Sequence, residues 1–238
     1  AIKRQASCMY QGLQWEVGKK KETTHGLSVF ETFQDAAEAI NGAMDALVRH
    51  DLEAAERIVA ADKKIDELEA EVEKQAVRII ALRAPMADDL REVIAALKIP
   101  GTIERIGDYA SNVAKRSIVL NNSPAIPAAG RIARLAKTAS ALLSDALKAY
   151  AESDAELAAK VRDADADLDA MYTSFFRELV TYMMEDPRTI GACTHLMFMA
   201  KNIERIGDHA TNIAENTWFV VHGDMPEGER KKEDRTSE

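Results

Sequence analysis

The 238-residue chain has only two cysteines, Cys8 and Cys193, and it lacks a long apolar run. Two cysteines cannot build a disulfide framework, which predicts a protein of a reducing compartment. No segment offers the roughly 20 consecutive apolar residues of a membrane span, and no apolar signal core follows the N-terminal basic residues. These absences predict a soluble cytoplasmic protein.

Aromatic residues are also scarce, at 5 % of the chain, and there are only six prolines and eleven glycines. Strands favour aromatic and β-branched residues, so the composition argues against sheets. Hydrophobic residues make up 47 % and charged residues 30 %, a mixture typical of long amphipathic helices. The formal net charge of −9 lacks the basic excess of nucleic-acid binding, so we expect no nucleic-acid partner.

One twelve-residue segment occurs twice. Ile103–Ala114 (IERIGDYASNVA) recurs 100 residues later as Ile203–Ala214 (IERIGDHATNIA), with nine identical positions. A shorter acidic pattern precedes each copy: Asp62 and Asp66 before the first, Asp165 and Asp169 before the second. The chain therefore consists of two tandem copies of one unit.

Apolar residues recur three and four positions apart throughout both copies, which predicts helices. We predict an all-α fold of six long helices, arranged as two tandem three-helix bundles. The predicted bundles span residues 28–120 and 128–221, and residues 121–127 form a polar, proline-containing linker.

Several local features accompany this scheme. We expect residues 1–27 and 222–238 to be poorly ordered or atypical. The Pro100-Gly101 pair is expected to kink or break the third helix. Gly107 and Gly207 recur inside helices, where glycine is unfavourable, so they predict close helix approach. His209 is expected to be exposed or bonded at a helix cap. Five sulfur-containing residues are expected in the core: Met183, Met184, Met197, Met199 and Cys193.

Within each copy the second and third helices should form an antiparallel hairpin. Asp66 and Glu104 are equidistant from Pro85, and so are Asp62 and Asp108. In the second copy the equivalent acidic pairs are equidistant from the Asp186–Pro187 bond. Since both helices rise equally per residue, each hairpin should bring four carboxylates to one level, on an outward-facing surface. The eight predicted metal ligands are Asp62, Asp66, Glu104, Asp108, Asp165, Asp169, Glu204 and Asp208.

Four neighbouring carboxylates repel one another, and a multivalent cation relieves that repulsion. Oxygen ligands favour hard cations: iron(III), magnesium, manganese or calcium, with zinc as a further candidate. The alternative is a solvated acidic face balanced by nearby lysines and arginines.

The doubled Glu-Arg-Ile-Gly-Asp-x-Ala-x-Asn segment, with Ile65–Glu69 and Ala87–Arg91, resembles the PhoU family over residues 42–221. The resemblance implies a pair of three-helix bundles that forms a homodimer. It implies a negative regulator of the phosphate-starvation response and of phosphate homeostasis. Such a regulator links the ATPase of a phosphate-specific ABC transporter to a sensor histidine kinase, and it reaches membrane complexes only through these partners. It also implies multinuclear iron or zinc at the acidic motifs. Residues 1–41 depart from the family's usual first helix.

No nucleophilic triad, phosphate-binding loop or dinucleotide-binding turn is present, which predicts a regulator rather than an enzyme. The main rival is a di-iron carboxylate enzyme that oxidises or stores iron. Such sites use Glu-x-x-His on two helices, and the chain has this pattern only at Glu22 to His25. The other alternative is a helical spacer whose acidic faces provide solubility.

Overall fold

The computed structural model describes residues 52–120 and 126–228, with the backbone alone for residues 52–66 and 68. This part of the chain contains five long helices and no strand, which confirms the all-α prediction. The helices are α1 (Leu52–Arg83), α2 (Asp88–Leu120), α3 (Gly130–Glu152), α4 (Ala155–Glu185) and α5 (Ile190–His222). The sixth predicted helix, the first along the chain, lies outside the described residues, as does most of the predicted linker. None of the five helices is long and apolar enough to cross a membrane.

The turns of both hairpins lie where the prolines predict them. Between α1 and α2, Ala84 and Ala87 adopt φ values of 45° and 51°, on either side of Pro85. Between α4 and α5, Pro187 opens a short 3₁₀ turn, and Asp186 caps it by accepting a hydrogen bond from the Arg188 N–H at 3.0 Å. Hydrogen bonds from the Arg188 side chain hold the pKa of Asp186 below its usual range.

Pro100 lies inside α2, which continues from Asp88 to Leu120, so the helix does not break there, and the kink stays a prediction. Proline removes one backbone donor, which is costly in an isolated helix. Here the ring is buried next to Ile99 and Ile103, both of which are also buried. Tertiary packing of the apolar face supplies most of a helix's stability and maintains α2 through this position.

The two copies meet where α2 runs antiparallel to α5. Tyr109 stacks on His209 with ring centroids 5.5 Å apart. On one side of this stack the Lys98 ammonium lies 6.0 Å from the Phe219 ring centroid. On the other side the Arg116 guanidinium carbon lies 4.3 Å from the Phe198 ring centroid. Tyr109 and His209 occupy equivalent positions of the duplicated segment, so the α2–α5 pair has an approximate two-fold axis through this stack.

The apolar face of each duplicated segment is buried as predicted. Ile106 and Ala110 on α2 and Ile206 and Ala210 on α5 are among its buried members. Helix α3 packs against both α4 and α5, which completes a three-helix core in the second copy.

The predictions for sulfur-containing side chains are confirmed in part. Cys193 and Met199 are fully buried, and Met183 and Met197 pack partly buried against the core. Met184 is 79 % exposed, so its predicted core position is wrong. It lies in the last turn of α4, where the hairpin projects beyond α3.

Gly207 marks a close approach between α4 and α5, as predicted. A Cβ atom built on Gly207 would lie 2.3 Å from Leu168 Cδ2 and 2.9 Å from Asp165 Oδ1. Leu168 is fully buried, so its side chain has little room to retreat. Gly107 is buried at the equivalent position of α2.

We expect Gly207→Ala to lower the free energy of unfolding by about 1–2 kcal/mol, because overpacking outweighs the gain in helix propensity. Urea denaturation followed by circular dichroism measures this change. Gly191→Ala is the matched control, since Gly191 is exposed and nothing lies within 4 Å of a Cβ built on it. Equal or greater stability of the Gly207 variant would contradict the close approach.

Candidate functional site

Contacts across both hairpins follow the predicted register. In the second hairpin the Lys201 ammonium lies 5.0 Å from the Tyr172 ring centroid, and these residues are equidistant from the Asp186–Pro187 bond. In the first hairpin Glu69 Oε1 lies 2.9 Å from the Cβ position of Gly101, and both are equidistant from Pro85. These two contacts agree with the pairing register that the sequence predicts for the hairpins.

The acidic cluster of the second hairpin is buried. Asp165, Asp169 and Glu204 are only 3–4 % exposed, and Asp208 is half-buried. The prediction of an outward-facing acidic surface is therefore wrong for this hairpin. Asp165 lies directly against Gly207, so the close approach of α4 and α5 encloses its carboxylate within the helix interface.

Glu204 is the electrostatic centre of this cluster. Its Oε1 accepts a hydrogen bond from Lys201 Nζ at 2.9 Å. Its Oε2 is buried and has no hydrogen-bond partner among the described residues. Burial raises the pKa of Glu204 to about 7; the Lys201 hydrogen bond and charge oppose this rise, and the charges of Asp208 and Asp169 add to it.

On α2 of the first hairpin the equivalent acidic residues are more exposed than on α5. Glu104 is half-buried and Asp108 is exposed, which agrees with the predicted outward direction. Asp62 and Asp66 lie on α1 in the stretch for which only the backbone is described. Their distances from the α2 carboxylates are outside the described contacts.

The metal-ligand role of the eight acidic residues stays a prediction. Among the side chains that the structure describes, no group of three or more His, Cys, Asp or Glu residues is arranged to hold an ion. The donors of the second cluster nonetheless have the chemistry of a hard-cation site: they are carboxylates, and the buried Glu204 Oε2 offers an oxygen. The cation next to Glu204 in this conformation is the Lys201 ammonium.

Sequence reasoning missed the role of His209, which is half-buried rather than exposed or bonded at a helix cap. Besides stacking on Tyr109, its Nδ1 lies 3.2 Å from Asn212 Nδ2. The Arg205 guanidinium lies 5.7 Å from the Tyr109 ring centroid. The sequence did contain one sign of this contact: equivalent positions of the duplicated segment both have a ring, Tyr109 in the first copy and His209 in the second.

A cavity of about 520 Å³ near the C-terminal end of α5 also escaped sequence reasoning. Trp218 and His222 line it, with their ring centroids 4.3 Å apart. Arg162 of α4 pairs with Glu215 at 3.4 Å and donates to the Glu227 carbonyl at 3.3 Å. The segment after α5 is thus held against the two helices.

We expect the free energy of unfolding of the metal-free protein to fall as pH rises from about 4.5 to about 7. Glu204 alone contributes at most about 1.4 kcal/mol per pH unit to this fall. The raised pKa means that the folded state holds the proton more tightly than the unfolded state. This contribution is fully present below the unfolded pKa and is lost as pH passes the folded pKa. Glu204→Gln should remove it.

Chemical denaturation at a series of pH values, with a chelator present, measures this difference. The exposed Glu185→Gln change is the matched control and should leave the pH profile unchanged. Parallel profiles for wild type and the Glu204 variant would refute the assignment.

The chain was compared with known proteins. The PhoU domain family matches it over residues 30–117 and 132–217. A phosphate-specific transport system accessory protein PhoU homolog of Xylella fastidiosa is 52 % identical over 202 residues, covering 85 % of each chain. The homolog of the same description from Rhizobium meliloti is 46 % identical over 204 residues, covering 85 % of this chain and 86 % of its own.

Two crystal structures have the same architecture. PhoU from Pseudomonas aeruginosa superimposes with a TM-score of 0.80 at 36 % identity, covering 83 % of this chain and 95 % of that one. The phosphate transport system regulatory protein PhoU from Streptococcus pneumoniae gives a TM-score of 0.77 at 26 % identity, covering 84 % and 95 %. The duplicated segment, the fold and these similarities agree, and the chain belongs to the PhoU family.

Proposed function

We propose that this protein is an accessory regulator of phosphate-specific transport and a negative regulator of the phosphate-starvation response. It acts in the cytoplasm as a homodimer, through contacts with a sensor histidine kinase and with the ATPase of the transporter. Membership of the PhoU family carries this proposal, because relatives covering 85 % of the chain are named as accessory proteins of phosphate-specific transport.

A regulator of this kind needs surfaces rather than a catalytic centre. Long helices pair into two hairpins, and the α2–α5 contact joins the two copies. This arrangement can present one partner-binding face from each copy. In the proposed role the protein shifts the conformational equilibrium of its partners, and this role requires no bound substrate.

We further propose that the acidic clusters bind multivalent cations, with iron or zinc favoured and magnesium, manganese or calcium as alternatives. The buried carboxylates of the second hairpin support this proposal, because a cation would relieve their repulsion. Glu204 and Asp208 of α5 and Asp165 and Asp169 of α4 would hold the ion there. The equivalent ligands of the first hairpin would be Asp62, Asp66, Glu104 and Asp108.

A di-iron carboxylate enzyme is the rival proposal, and burial of the second cluster is a feature that it shares. Such sites use a Glu-x-x-His sequence on each of two helices, and the chain has only one, at Glu22 to His25. That sequence lies outside the described residues. An oxygen-dependent iron-oxidation assay separates the two proposals, because a regulator should show no turnover.

We expect the tagged full-length protein, purified from phosphate-replete cells, to retain the transporter ATPase or the sensor kinase. Mass spectrometry of the purified material identifies these partners, and a purification from cells carrying the tag alone is the control. Deleting the gene should derepress phosphate-starvation genes in replete medium, because the negative regulator is lost. Unchanged expression after deletion would exclude the regulatory role.

We expect Asp208→Ala to reduce the metal retained after dialysis while leaving helicity nearly unchanged. Asp208 belongs to the proposed ligand set and is half-buried rather than part of the apolar core. The exposed Asp167→Ala on α4 is the matched control and should retain wild-type metal content. Metal analysis by plasma mass spectrometry provides the measurement, and equal metal content in the two variants would refute the ligand assignment.

A further inference from the structure

The cavity near the C-terminal end of α5 lies between α4, α5 and the segment of residues 223–228, which we call the C-terminal strap. Its volume of about 520 Å³ is within the range of pockets that bind a small ligand or a side chain. Three small side chains leave this space between the helices and line it with apolar surface: Ala158, Ala159 and Ala214.

The strap is held in place from two sides. Gly223 ends α5 with a φ of 86°, a conformation that favours glycine, and Arg91 Nη1 of α2 lies 2.8 Å from its Cβ position. On the other side Arg162 of α4 donates hydrogen bonds to the carbonyls of Glu227 and Gly228. The cavity is therefore already formed before any ligand binds, which lowers the cost of binding.

The charge of the lining favours a cation. Arg162 is its one basic residue, and its four acidic residues are Asp163, Glu215, Asp224 and Glu227, so the formal charge is −3. The Arg162 guanidinium lies between Glu215, at 3.4 Å, and the strap carbonyls, so its charge is already matched within the wall. An anion would meet net repulsion here, and a cation net attraction.

Two rings add to this preference. Trp218 is half-buried and lines the cavity with His222, and their ring centroids are 4.3 Å apart. The face of an indole ring attracts an ammonium or guanidinium group. The alanines next to it suit the methylene stem that carries such a group in lysine or arginine.

The combination of ring and acid belongs to the second copy alone. The positions of α2 equivalent to Glu215 and Trp218 are Lys115 and Ile118. The charge is reversed at one position and the ring is absent at the other. The duplication therefore does not repeat this cavity's chemistry in the first copy.

We propose that this cavity is a docking site for an arginine or lysine side chain of a partner protein. The inference rests on the proposed regulatory function, for which it identifies a contact surface. Charge complementarity supports a basic occupant, and the exposed apolar residues beside the cavity support a protein. Met225 is 52 % exposed and Val221 is 38 % exposed, and a peptide covers such side chains where a small free cation leaves them in water.

The first test is a titration of the full-length Trp15→Phe protein, in which Trp218 is the only tryptophan. Acetyl-Leu-Arg-Leu-amide should change the Trp218 fluorescence saturably. It should bind about tenfold more tightly than the same peptide with uncharged citrulline in place of arginine. It should also bind about tenfold more tightly than propylguanidinium, which has the charge without the apolar neighbours.

Asp163→Asn with Asp224→Asn should weaken binding of the arginine peptide about fivefold, because both side chains are exposed carboxylates of the lining. Asp167→Asn is the matched control, since Asp167 is exposed on α4 and does not line the cavity. Circular dichroism should show the same helicity for both variants. A double variant that binds the peptide as tightly as the control would overturn the proposal.

The other outcomes separate the inference from the function on which it rests. No saturable response to the arginine peptide, or equal affinity for the citrulline peptide, overturns the docking site and leaves the regulatory role intact. Tighter binding of propylguanidinium than of the peptide shows a site for a free organic cation and overturns the protein partner.

The last measurement uses the tagged protein in phosphate-replete cells. The double variant should retain at least about fivefold less transporter ATPase or sensor kinase than Asp167→Asn does. Equal retention would overturn the cavity as their contact surface. If neither protein is retained by the wild type, the proposed partners are overturned, and the peptide titration still decides whether the cavity binds a basic side chain.

Discussion

The hairpin of α4 and α5 depends on the missing side chain of Gly207. At this position the helices approach so closely that Leu168 and Asp165 lie where a Cβ atom would be. The same approach that buries Leu168 in the core encloses Asp165 and leaves Asp169 and Glu204 largely inaccessible to solvent. Apolar packing and the acidic cluster are therefore two results of one close contact, and changing Gly207 alters both.

Burying these carboxylates is unfavourable unless positive charge accompanies them. The Lys201 ammonium supplies part of that charge, and the proton that the raised pKa of Glu204 retains supplies another part. The second copy thus keeps its acidic residues inside the fold while the first keeps Asp108 exposed.

Sequence reasoning predicted the helical class, both hairpin turns and the register of facing residues, because these follow from periodicity, proline positions and the equal rise of two helices. It did not foresee that α2 continues through Pro100 without a break, since local helix propensity does not include the packing that buries the ring. It also failed for the burial of Glu204 and for His209, because both depend on which helix covers a given face. A single-helix projection separates an apolar side from a polar side but does not show where a polar side meets another helix.

The stack of Tyr109 on His209 places the same position of both copies in one contact. After an internal duplication, two copies can usually accumulate substitutions separately. On the approximate two-fold axis the two copies are not independent, since the residue of one copy contacts its own counterpart in the other. A substitution at either site therefore changes a contact that both copies share, and the present contact is a tyrosine ring stacked on a histidine ring.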